Sequence, residues 1–210
     1  MRYNTRMEDK IQIVKEWLGS GSINIFGLPF AGKDTHGALL AQELDGFVVG
    51  GGEILRSQTL PQHVQELMAQ GNLVPIEDYL RIVIPYLSQE KYAGKPIIMS
   101  SLGRWKGEED GVIRGGDESG HPIKAAVYLQ IDPIVAYQRW EAAKEIGDRE
   151  QRVDDDINNL DNRFKEFMSK TLPVIEEYRK RGLLIEIDGR PPVDNVTEAI
   201  IDALIKHARA

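Results

Sequence analysis

Apolar positions along the chain fall into short continuous runs separated by stretches with helical spacing. Ile23-Asn24-Ile25-Phe26, Phe47-Val48-Val49, Ile97 to Ser101, Ala125 to Ile131 and Leu183 to Ile187 read as five strands. Residues 7 to 19 predict an amphipathic helix with Ile11, Val14, Trp17 and Leu18 on one face, ended by Gly19-Ser20-Gly21. Further helices are expected from Gly37, over residues 61 to 70 with Pro61 in the first turn, and over 77 to 90, 133 to 145 and Val193 to His207. Glu53-Ile54-Leu55-Arg56 looks like another helix start, whereas Lys106 to Gly120 is glycine-rich and charged and is expected to be irregular with at most a short helix. Strands alternating with helices imply a parallel sheet covered on both faces, an α/β fold. Ligands bind such sheets at the carboxyl ends of the strands, so candidate chemistry is sought just after each strand.

Length and composition narrow the picture. A chain of 210 residues fits one α/β domain. The net charge of −7 argues against nucleic acid or an anionic membrane as partner, because both require basic fields. With no cysteine, disulfides, thiolate metal sites and a cysteine nucleophile are excluded. The four histidines, His36, His63, His121 and His207, show no ligand spacing. No apolar run reaches membrane length and the first residues lack a signal core, so a soluble cytoplasmic protein is expected; a monomer is expected separately, with the first helix as the alternative site of an oligomer contact.

After the first strand comes Gly27-Leu28-Pro29-Phe30-Ala31-Gly32-Lys33-Asp34-Thr35. A strand, a Gly-x-x-x-x-Gly-Lys loop and a helix form the context of a phosphate-binding loop: backbone N–H groups converge and the helix N-terminus adds positive charge. Lys33 would bridge the outer phosphates of a nucleoside triphosphate, and Thr35, one place later than the literal motif requires, would offer its hydroxyl to a phosphate or to Mg²⁺. Arg56 and Arg104 fall after the second and third strands, near that loop, and a guanidinium fork suits phosphate. Arg152 and Arg163 lie eleven positions apart, about three helical turns, which would bring them to nearly one face. The acidic run Asp154-Asp155-Asp156 suits a helix start. Trp105 and Trp140, each following a candidate arginine, are expected to pack beneath the site.

From Ile23 onward these motifs, in order, resemble the adenylate kinase-like nucleoside monophosphate kinases. Gly-x-Pro-x-Ala-Gly-Lys-x-Thr is that family's phosphate loop, and Gly52-Glu53-Ile54-Leu55-Arg56 is similar to its Gly-Asp-x-Leu-Arg element. Gly71-Asn72-Leu73-Val74-Pro75 is similar to Gly-x-Leu-Val-Pro, and Ser100-Ser101-Leu102-Gly103-Arg104 stands where the family has Asp-Gly-Phe-Pro-Arg. Arg152-Val153-Asp154-Asp155 with Arg163, Thr171 to Ile175, and Ile187-Asp188-Gly189 resemble its remaining motifs. The resemblance implies a three-layer α/β/α P-loop fold with a five-stranded parallel sheet. It also implies a kinase domain over 22–210 behind a helical extension over 1–21, an NMP-binding insert at about 51–80 and a short lid at about 140–153.

Roles follow from the same resemblance. Pro29, Phe30, Ala31, Gly32, Lys33, Asp34, Thr35, Arg139 and Gly189 would bind ATP, with Thr35 reaching the nucleotide's Mg²⁺. Gly51, Gly52, Arg56, Leu73, Val74, Leu102, Gly103, Arg104 and Glu108 would bind the acceptor monophosphate, AMP by default. Lys33, Arg104, Arg152 and Arg163 would be catalytic, which suits a reaction that depends on positioning and spread positive charge. Four departures stand out: Ser100 for an Asp that helps hold the metal's water, Gly51 for a Thr, Ala143 for a lid Arg that Lys144 or Arg149 could replace, and Glu108 for a Gln that reads adenine. A carboxylate only accepts hydrogen bonds, so Glu108 would suit guanine better than adenine unless protonated. These departures keep two alternatives open: a kinase for another monophosphate (GMP, CMP, UMP or a deoxynucleotide), and a nucleotide-binding protein with little or no transfer activity.

Overall fold

The computed structural model describes residues 2–51, 54, 59–69, 75–146 and 157–210. Five parallel strands run β1 (Ser22–Gly27), β2 (Phe47–Gly50), β3 (Ile97–Ser100), β4 (Ile123–Gln130) and β5 (Leu184–Asp188), in the spatial order β2-β3-β1-β4-β5. Each strand is within one or two residues of its predicted span. The phosphate-loop strand β1 is central, paired with β3 on one side (Asn24 opposite Met99) and β4 on the other (Asn24 opposite Ala126).

Alternation along β1 divides the core. Ile23 and Ile25 join the apolar layer that holds Leu40 of α2 (Lys33–Leu44) and Val196, Ile200 and Leu204 of α9 (Val193–Ala208). Phe26 joins the opposite layer, which holds Val83 and Leu87 of α4 (Ile76–Leu87), Val112 of α5 (Glu108–Glu118) and Tyr178 of α8 (Leu172–Lys180). Both faces are thus buried, as a parallel sheet requires. This is the predicted α/β architecture, consistent with a P-loop fold.

The first helix, α1, spans Arg2–Leu18, starting earlier than its periodicity indicates. Val14 and Leu18 are wholly buried in the layer shared with α2 and α9, and Lys10 reaches Glu198 and Asp202 of α9. The helix α3 covers Gln62–Ala69, and α4 ends at Leu87 instead of 90, followed by a 3-10 turn at Glu90–Tyr92. α6 spans Pro133–Ile146, so residues 140–146 continue it. Arg163 lies in the last turn of α7 (Ile157–Glu166), and one π-helical turn, Phe167–Thr171, passes the chain into α8, where the apolar pattern assigned no element.

The clearest correction concerns the Lys106–Gly120 stretch, where in place of irregular backbone with at most a short helix the eleven-residue α5 fills most of the span. Its glycines lower intrinsic propensity, but they serve packing. A Cβ on Gly116 would meet the carbonyl oxygen of His121 at 2.8 Å, and one on Gly115 would lie 3.4 Å from Val83. Tertiary contact overrides propensity here. Among the described residues, no helix is long and apolar enough to cross a membrane.

Candidate active site

The loop between β1 and α2 turns on two left-handed residues, Phe30 (φ 64°) and Gly32 (φ 95°), the second being the N-cap of α2. Gly32 suits this position because it lacks the Cβ that left-handed backbone penalises. Lys33 opens α2 and folds back over the loop, its Nζ donating to the carbonyl oxygens of Gly27 and Leu28, each at 2.9 Å. Pro29 and Ala31 are buried, Phe30 and Lys33 are half-buried, and Asp34 and Thr35 are exposed at the mouth. His36, one turn into α2, is buried with its Nδ1 2.9 Å from the Thr197 hydroxyl. Burial, reinforced by the nearby Arg139 charge, lowers its pKa.

Arg139, on α6, closes the other side. Its Nη2 donates to the Gly189 carbonyl at 2.7 Å, and its Nη1 reaches the carbonyls of Phe30 and Ala31 at 3.4 and 3.5 Å. The guanidinium therefore joins the phosphate loop to the turn after β5. Gly189 itself is anchored by its N–H to Gln130 at 2.8 Å.

Next to the phosphate loop, the segment after β3 is held by a residue that the motif search missed. Asn24 is wholly buried on β1, where its Nδ2 donates to the Leu102 carbonyl at 2.7 Å and its Oδ1 accepts from the Leu102 N–H at 3.1 Å. One amide thus satisfies both backbone groups of Leu102. Thr171 adds a second tether, donating its hydroxyl to the Arg104 carbonyl at 3.1 Å. Ser101 takes a left-handed conformation (φ 51°) with its N–H on the Ile25 carbonyl at 3.0 Å. Such strain persists only where surrounding contacts over-determine the backbone. A Cβ on Gly103 (φ 69°) would stand 2.5 Å from Val112, so α5 packs directly on this loop. The signal for Asn24 was present in the sequence, as a lone polar residue inside an apolar strand.

These tethers present Arg104 exposed beside the phosphate loop, at the end of the strand adjoining β1. Gly51 and Glu108 adjoin the same loop: a Cβ on Gly51 would touch Leu102 at 3.4 Å, and one on Gly103 would lie 3.5 Å from the Glu108 carbonyl. Glu108, the first residue of α5, is half-buried and accepts from the Trp105 N–H at 3.2 Å. Burial raises its carboxyl pKa, partly offset by the N–H groups of Trp105 and Arg104. Lys170 lies over the Trp105 ring at 3.8 Å and Lys144 over the Trp140 ring at 3.7 Å. The Tyr137 hydroxyl bonds Asp161, joining α6 to the helix that carries Arg163. Gly52, Arg56, Leu73, Val74 and Arg152, with Gly71, Asn72, Arg149 and Asp154 to Asp156, lie outside the described residues.

The carboxyl end of the sheet thus carries a glycine-containing loop with a lysine and, one strand away, an arginine whose backbone is tethered. Both lie at the carboxyl ends of neighbouring strands, where ligands bind such sheets. No protein-family model matches the chain. It is similar to the adenylate kinase of Clavibacter michiganensis subsp. michiganensis, with 33% identity over 190 residues covering 86% of this chain and 90% of that one. Similar agreement is found with the adenylate kinases of Dehalococcoides mccartyi (28% over 211 residues; 87% and 97% covered) and Xylella fastidiosa (28% over 188 residues; 86% and 97% covered).

Proposed function

Since this chain belongs to the adenylate kinase-like nucleoside monophosphate kinases, and is therefore a phosphotransferase, we propose that it moves the terminal phosphoryl group of ATP to AMP, giving two ADP. The observation that carries the reading is the pair of tethered loops at neighbouring strand ends, Gly27–Thr35 after β1 and Ser101–Arg104 after β3. Lys33 and the loop amides hold the donor phosphates, and Arg104 grips the acceptor phosphate opposite. Arg163 approaches the transferring group; the roles of Arg56 and Arg152 rest on the family motifs alone. Positioning and cationic contact lower the barrier for this reaction without any covalent step by the protein.

Hard oxygen donors at the mouth, the hydroxyls of Thr35 and Ser100 and the Asp34 carboxylate, suit Mg²⁺ carried in with the nucleotide. When bound, the ion neutralises charge on the donor phosphates. The acidic chain favours small nucleotides over nucleic acid or an anionic membrane as partners, and we place the protein as a cytoplasmic monomer.

The test is the rate of diphosphate formation from ATP and Mg²⁺ with each of AMP, GMP, CMP, UMP and dTMP, assayed separately as acceptor. AMP should dominate. A different dominant acceptor would replace AMP in this proposal, and the half-buried Glu108 favours GMP as that second reading. As a carboxylate, Glu108 can only accept, which suits the N1–H and amino group of guanine; protonated, it can donate to adenine N1. Because burial raises its pKa, the protonated form persists to higher pH than for an exposed glutamate. The KM for AMP is therefore expected to rise as pH increases through that titration, while the KM for GMP falls. Glu108→Gln should lower the KM for AMP at pH 7 by about tenfold, the worth of one well-placed hydrogen bond, and flatten its pH profile. An unchanged profile in that variant would remove Glu108 from base recognition.

A further inference from the structure

Asp34 lies where a phosphate site should not want it. It follows Lys33 directly, in the first turn of α2, so its charge would repel nucleotide phosphates seated on the same helix end. A cation between the two would turn that repulsion into attraction. Nucleotide-bound Mg²⁺ takes few protein ligands, commonly one or two carboxylates, and P-loop enzymes place one beside the hydroxyl residue of the loop. Here the neighbouring strand β3 ends in Ser100, which has no charge to offer. Instead, the Ser100 Oγ donates to Asp34 Oδ1 at 2.8 Å, across 66 positions of sequence. Asp34 is thereby oriented at the mouth, next in the chain to Thr35, and both are exposed.

The geometry points to Asp34 as the carboxylate that holds the donor nucleotide's Mg²⁺ shell, with Ser100 as its positioning residue. The acid function has moved from the strand end to the helix, and the two residues form one unit. This inference rests on the kinase reading but concerns metal and nucleotide binding alone, so its test needs no turnover.

ATP binding is measured by calorimetry with Mg²⁺ and with EDTA. In the parent protein, Mg²⁺ should tighten ATP binding. Asp34→Asn keeps an acceptor oxygen for Ser100 but removes the charge, and should reduce that tightening by roughly 10–100-fold, the usual range for a metal-shell partner. Metal-free ATP should bind this variant equally well or better, because a repulsive charge is gone. Ser100→Ala should weaken the Mg²⁺ effect less, in the same direction, and Ser100→Asp added to Asp34→Asn should restore most of it. An undiminished Mg²⁺ effect in Asp34→Asn overturns the inference and leaves Asp34–Ser100 as a tie between helix and strand. If that result accompanies parent protein that converts ATP and AMP to ADP, only this inference fails. Parent protein that binds no ATP overturns both.

Discussion

Lys33→Ala is expected to lower the kcat for diphosphate formation by at least about 10³-fold. The Lys33 ammonium rests on the carbonyls of Gly27 and Leu28, two neutral acceptors, poised over the cradle that the loop forms. Anionic phosphates are stronger acceptors, since charge-assisted hydrogen bonds are roughly twice as strong as neutral ones. Donor phosphates should therefore draw the side chain off those carbonyls. Removing a single preorganised donor to developing charge costs about 10²–10³-fold in other enzymes, and Lys33 adds a full charge to that role. Stability should fall by only about 1–2 kcal/mol for the two lost hydrogen bonds at a half-buried position. A coupled assay of ADP production, with a thermal melt as control, checks both. Near-normal turnover in this variant would take the phosphate loop out of the mechanism.

The second large effect is expected at Asn24, in a residue that touches no substrate. Asn24→Leu fills a similar volume but strips the partners from both the N–H and the C=O of Leu102, which is itself buried. Each buried backbone group left unpaired costs about 1–3 kcal/mol, so denaturant unfolding should show a loss of about 2–6 kcal/mol. The kinetic signature should be asymmetric. Arg104 follows Leu102 by two residues, so the KM for the acceptor should rise while that for ATP changes little. A loss below about 1 kcal/mol with both KM values intact would mean that Thr171 and α5 hold the Ser101–Arg104 loop without Asn24.

How much of this could be read from the chain alone depended on whether a feature was local. β1, the phosphate loop and α2 were legible because an apolar run, two glycines and a lysine lie within a dozen residues. The strand sequence and the parallel sheet followed from alternation of element types, which needs no knowledge of partners. The extent of α5 was underestimated because Gly111, Gly115 and Gly116 signal irregular backbone, and the reason for two of them lies elsewhere, in Val83 and the His121 carbonyl. The link between Asp34 and Ser100 was equally invisible. Each was a departure from a motif, and only their 2.8 Å contact relates the two. Arg104 could be picked out by its place after a strand, but not the Asn24 and Thr171 contacts that hold its loop. Those span 78 and 67 positions of sequence.

The clamp at Arg139 has a mechanical consequence. Its guanidinium is fixed to carbonyls of the phosphate loop and of the turn after β5, halfway along α6. A fixed point partway along a stiff rod acts as a fulcrum. A load on either half of α6 would therefore reach the phosphate loop and the turn after β5 together, through this one side chain.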